Sequence, residues 1–202
     1  MVDAASVTAA LSAAGMAFGP PAAAPAALRW GLLFDALDGD GGGDYVTAVE
    51  LIYEGYLFHY RQSRVSTISP EARETTLLAG DFFYARGLRL VAARGDADAV
   101  GLLARLMAAC SQLRSVGAPF ADDDALWAYT VGGLAALRAG TSAATVCGLF
   151  ERFEAAVADG AAVDTHDMAR AGARRLGLRD VAPLERALSD EGAAVAAIAT
   201  GR

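Results

Sequence analysis

A chain of 202 residues, 54% hydrophobic and 20% charged, is long enough for one compact domain, which at this size buries roughly 70% of its unfolded surface. Its net charge is −7 and its basic residues are all arginine, so it offers no basic stripe of the kind that neutralises a nucleic-acid backbone. Two cysteines, Cys110 and Cys147, make neither a disulfide framework nor a zinc site.

The opening stretch MVDAASVTAALSAAG lacks the positively charged start of a signal peptide, and no apolar run is long and unbroken enough to span a bilayer. The expectation is a soluble cytoplasmic protein. Segments rich in Ala, Leu and Arg alternate with short turns of Gly, Pro, Asp and Ser, and β-branched runs are scarce. The pattern predicts an all-α single domain over 1–202, with helices at about 4–15, 27–37, 45–63, 70–93, 97–115, 123–138, 142–158, 165–176, 182–188 and 190–199.

In chain order, the first helix is followed by GPPAAAPAA at 19–27, a proline-stiffened connector too short for an interdomain linker. After the second helix comes DGDGGGDYVTAVE. It has EF-hand spacing at Asp38, Asp40 and Asp44 but Val49 where a bidentate glutamate belongs, so it reads as a glycine turn whose acids precede a helix N-terminus. The third helix carries Val46, Val49, Tyr53, Tyr56, Leu57 and Tyr60 at steps of three and four, with Leu51, Ile52 and Phe58 covering much of the rest, and is expected to be buried from several sides. It runs into LFHYRQSR, with His59, Arg61 and Arg64. The fourth helix is expected to start with Ser69 as N-cap and Pro70 at its first position. Asp81 stands alone within its apolar sequence, where a buried carboxylate needs an arginine or hydroxyl partner. ADDDALW at 121–127 and DTHDM at 164–168 precede apolar helical patterns and read as capping sequences. Both cysteines read as small core residues.

Three stretches in order resemble trans-polyprenyl diphosphate synthases. LLAGDFFYARGLRLVAARGDADAVGLLARLMAACSQL resembles the family's "LAGD" helix and the leucine-rich helix after it, AVELIYEGYLFHYRQSR the helix ending in "HDDxxD", and AALRWGLL the "GGKRxRP" segment. They span residues 24 to 115. The resemblance implies an isoprenoid-synthase-type helical bundle, truncated because the chain ends where the family continues into its second catalytic half. It also implies that the metal chemistry is gone. In the family the aspartates after that histidine bind Mg²⁺ bridged to an allylic diphosphate. Here His59 remains, while the aspartate positions hold Tyr60, Arg61 and Arg64, an inversion of charge with the first and last groups expected on one helix face. Ala26 and Ala27 replace the family's lysine and first arginine, and Arg29 alone persists. The second aspartate motif and the "RRGxPT" loop are missing.

The resemblance therefore implies a noncatalytic, regulatory or structural subunit of a heteromeric polyprenyl diphosphate synthase in quinone side-chain biosynthesis, like the small subunits of heptaprenyl and hexaprenyl synthases. Such a pseudoenzyme has no catalytic residues or metal of its own, with Mg²⁺ only on the catalytic partner. Its partners would be that subunit, a second copy of itself, or both, and Phe82, Phe83 and Tyr84 would either wall the partner's product tunnel or form ordinary core. Two alternatives stay open: a metal-independent enzyme that binds a prenyl diphosphate through Arg29, Arg61 and Arg64, and a helical homodimer that carries an isoprenoid or other lipid. The plainer reading takes Arg61 and Arg64 as solvated cations at a helix C-terminus, His59 as a core histidine, and Asp81 as a structural group.

Overall fold

The computed structural model describes residues 3–24, 26–39, 42–69, 71–159 and 161–189. Among them the secondary structure is helical: α1 (Ala4–Gly15), α2 (Trp30–Asp38), α3 (Gly43–Tyr60), α4 (Arg73–Ala92), α5 (Ala97–Ser115), α6 (Phe120–Arg138), α7 (Ala143–Ala158), α8 (Thr165–Ala173) and α9 (Ala182–Ser189). The fold is all-α. The helix expected over 190–199, Pro70 and Asp40 lie outside the described residues.

Local chemistry explains most of the helix ends. Asp3, Asp96, Ser142 and Asp164 accept backbone N–H groups at the starts of α1, α5, α7 and α8, answering donors that a helix start leaves open. Gly39, at φ 68°, closes α2 in the left-handed conformation that other residues avoid. Two starts differ from expectation. α4 begins at Arg73 after Ala72, which offers no side-chain cap, because the Ser69 hydroxyl is turned to Glu71 instead. At α6 the cap is Pro119, and the aspartates of ADDDALW lie inside the first turns with other partners.

Two helices form the heart of the molecule. Nearly every residue of α3 from Tyr45 to Phe58 is buried, as is α6 from Asp123 to Ala136. α2 packs on both, α4 lies along α3 in the most extensive helix pair, and α5, α8 and α9 surround α6. Small residues let α3 and α4 close up. A Cβ on Gly87 would come within 2.5 Å of Ile52 and 2.8 Å of the Ala48 carbonyl, and one on Gly80 within 2.5 Å of the His59 ring. Large rings fill the space between α3 and α6. Trp127 meets Tyr53 at 5.1 Å, Tyr56 at 5.9 Å and Trp30 at 6.1 Å between ring centroids.

The connector after α1 and the one after α3 run side by side. Ala22 N–H donates to the Val65 carbonyl and Thr67 N–H to the Pro20 carbonyl, forming a bridge between Pro21 and Ser66. That bridge fixes the loop after α3, from which the site is built. α3 itself is covered within its own chain. α4 is not, and Leu77, Leu78 and Phe82 are 45%, 66% and 38% exposed.

Candidate functional site

The polar groups of the bundle gather where α3 ends. Glu50 and Glu54 sit one turn apart on α3, hence on one face, and both are fully buried. A buried carboxylate pair needs a cation and several donors. Arg64 supplies the cation. Its Nε donates to Glu54 at 2.8 Å and its Nη1 to Glu50 at 2.7 Å, while its backbone N–H and the Ser63 hydroxyl donate to the other Glu54 oxygen at 2.8 and 2.7 Å. The remaining Glu50 oxygen accepts the N–H groups of Arg29 and Gly31, each at 2.7 Å, so α3 caps the start of α2. Gly31 permits this approach: a Cβ there would stand 2.8 Å from the Glu50 Cγ. Burial works against the charge on Arg64, but Glu50 and Glu54 outweigh it and hold the guanidinium above its ordinary pKa.

A second set of ion pairs adjoins the first. Arg29 donates to Asp124 at 2.8 Å and to the Tyr53 hydroxyl at 3.1 Å, its guanidinium lying 4.3 Å over the Trp30 ring. Arg61 reaches the other Asp124 oxygen only at 3.9 Å and rests on Phe120. Asp123, wholly buried, holds Arg114 at 2.9 Å and accepts the Tyr56 hydroxyl. Burial raises the Asp123 carboxyl to about 6, against the lowering pull of Tyr56 and Arg114. It also pushes Tyr56 and the Cys110 thiol upward. Four carboxylates thus face four guanidiniums, and the cluster is neutral.

The structure corrects several expectations. Tyr60 and Arg64 do not share a helix face, because α3 stops at Tyr60; Tyr60 packs on Tyr56, and Arg64 folds back along α3. Arg64 is mostly buried rather than solvated, drawn in by Glu50 and Glu54, whereas Arg61 is exposed. Asp81 is no buried carboxylate: it is 72% exposed and lies 3.2 Å from His59 Nε2. His59 stacks on Tyr84 and is mostly buried, as a core histidine is. Phe82, Phe83 and Tyr84 diverge around α4: Phe83 packs on Phe58, Phe82 is partly exposed, and Tyr84 meets His59. At the glycine turn, Asp38 accepts from Arg138 at 2.6 Å and Asp44 pairs with Arg94. Asp164 caps α8 as expected, whereas Asp122, Asp123 and Asp124 bind Thr165, Tyr56 with Arg114, and Arg29.

Of the diphosphate candidates, Arg29 and Arg64 are brought together through Glu50, while Arg61 stands apart on Asp124. Sequence reasoning passed over Glu50, Glu54, Asp123, Asp124 and Arg114. The signal was there for the first two, since VELIYE places two acids one turn apart within an otherwise apolar helix. No family model, curated protein or solved structure matches the chain.

Proposed function

We propose that this chain is a noncatalytic subunit that pairs with a catalytic polyprenyl diphosphate synthase, in the assembly that makes isoprenoid quinone side chains. One observation carries the reading. Each arginine at the positions that the resemblance assigns to diphosphate and metal faces a carboxylate of the same chain, Arg29 and Arg61 sharing Asp124 and Arg64 taking both Glu50 and Glu54. A neutral cluster holds a bundle together; it has neither surplus negative charge to gather Mg²⁺ nor surplus positive charge to neutralise a diphosphate. The metal-independent enzyme is the weaker reading for the same reason, since freeing Arg29 or Arg64 for substrate strands Asp124 or two buried glutamates.

The surface of α4 supports the pairing. Leu77, Leu78 and Phe82 are exposed on a helix whose other side is packed against α3, and grouped apolar exposure of this kind is suited to a protein partner. Co-expression with a synthase from the same organism, followed by sedimentation velocity, tests the proposal. The wild-type chain co-sediments with the synthase and Leu78→Glu does not. A wild-type chain that sediments alone, or as a homodimer indifferent to the synthase, overturns it.

A further inference from the structure

The loop after α3 and the first turn of α4 border an open groove of about 510 Å³, lined by Arg61, Ser63, Ser66, Thr67, Arg73 and Thr76 among others, with no carboxylate among its lining residues. Arg61 and Arg73 are its charged lining residues, with Glu71 bonded to the lining Ser69 and Glu74 beside Arg73 in the first turn of α4. The groove's two arginines are the more loosely held ones. Arg29, Arg64 and Arg114 close on carboxylates at 2.9 Å or less, whereas Arg61 stands 3.9 Å from Asp124. Arg73 is exposed and has no hydrogen-bond or ion-pair partner among the described residues.

Two further features point to an anion. α4 starts beside the groove, and Ala72 gives it no side-chain cap, so the first-turn N–H groups of a 20-residue helix lack a side-chain acceptor. Independently, Ser66 is 96% buried, yet its Oγ has no hydrogen-bond partner among the described residues. Its backbone is pinned by the Pro21 bridge and by its N–H bond to Ser63 Oγ at 3.1 Å. A buried hydroxyl held in place without a partner is unfavourable unless something accepts from it.

We propose that this groove binds the phosphate group of a soluble phosphate ester. The Ser66 hydroxyl and the opening N–H groups of α4 donate to its oxygens, and Arg73 presents its charged fork, while the Arg61 guanidinium stays on Asp124 and Phe120. An anionic membrane is a poorer fit, because lipid surfaces are held by clusters of about four to eight cations and two line this groove. The proposal does not depend on the subunit reading.

Inorganic phosphate is the probe, titrated into the full chain by calorimetry at constant ionic strength with chloride as the blank. Saturable binding is expected, about tenfold weaker in Arg73→Gln and in Ser66→Ala, because each removes a direct donor. Arg89→Gln, the same charge change at an exposed site in the last turn of α4, leaves affinity unchanged. The proposal fails if phosphate does not saturate, if Arg73→Gln retains full affinity, or if Arg89→Gln weakens binding as much as Arg73→Gln. It fails equally if the chain binds phosphatidic acid vesicles but not free phosphate.

Discussion

Arg64 reaches back from a loop to hold two glutamates that α3 buries a turn apart, and the energetics of that contact are lopsided. Removing the cation alone leaves two uncompensated carboxylates, so Arg64→Met should lower stability by about 3–5 kcal/mol in urea denaturation. Adding Glu50→Gln and Glu54→Gln should recover most of that loss, since glutamine still accepts from the Arg29 and Gly31 N–H groups without carrying charge. Failure of the triple variant to recover would mean that the ion pairs themselves are indispensable. Asp123 gives a prediction in pH. Burial lifts its folded-state value to about 6, above the roughly 3.9 of an unfolded aspartate. Between those values the native chain keeps a proton that the unfolded chain has released. The group's stabilising contribution is therefore present below about pH 4 and lost as pH rises through 6. Wild type should lose stability relative to Asp123→Asn across that window, by up to about 3 kcal/mol; a relative gain would contradict the assignment. At this scale the sequence was only half legible. It displayed the arginines, but the carboxylates that neutralise them come from α3 and α6, far away in the chain, and only the folded bundle brings them together.

At the scale of elements, the helices were written locally and their partners were not. Capping aspartates, closing glycines and the three-and-four spacing of α3 act over a few residues, and the expected helices follow the observed ones closely. The start of α4 departed because Ser69 hydrogen-bonds Glu71, a competition that composition does not reveal. How close two helices lie depends on what each glycine faces, and that is a matter of packing. The same substitution therefore has opposite signs at two sites. Gly87→Ala drives a methyl into Ile52 and the Ala48 carbonyl and should cost about 1–3 kcal/mol. Gly101→Ala, exposed within α5 with nothing within 4 Å, should gain about 0.5–1 kcal/mol. Thermal melts of the two variants check both signs; a loss at Gly101 or a gain at Gly87 would show that the close approach of α3 and α4 is misjudged.

For the whole molecule, the division is between a closed interior and an incompletely covered edge. α3, expected to be buried from several sides, is covered by α1, α2 and α4 within the chain. Of the exposed large apolar side chains, Leu77, Leu78 and Phe82 group on α4, while Met16, Val116 and Phe120 lie elsewhere. A neutral interior with an open helix face fits the proposed role of a partner rather than a catalyst, while fold alone assigns no function. The most direct test is a radiolabelled chain-elongation assay run on this chain, on a catalytic synthase from the same organism, and on their mixture. The account predicts no turnover by this chain alone and longer prenyl products from the mixture than from the synthase. Turnover by the isolated chain, or a product length indifferent to its presence, would contradict it.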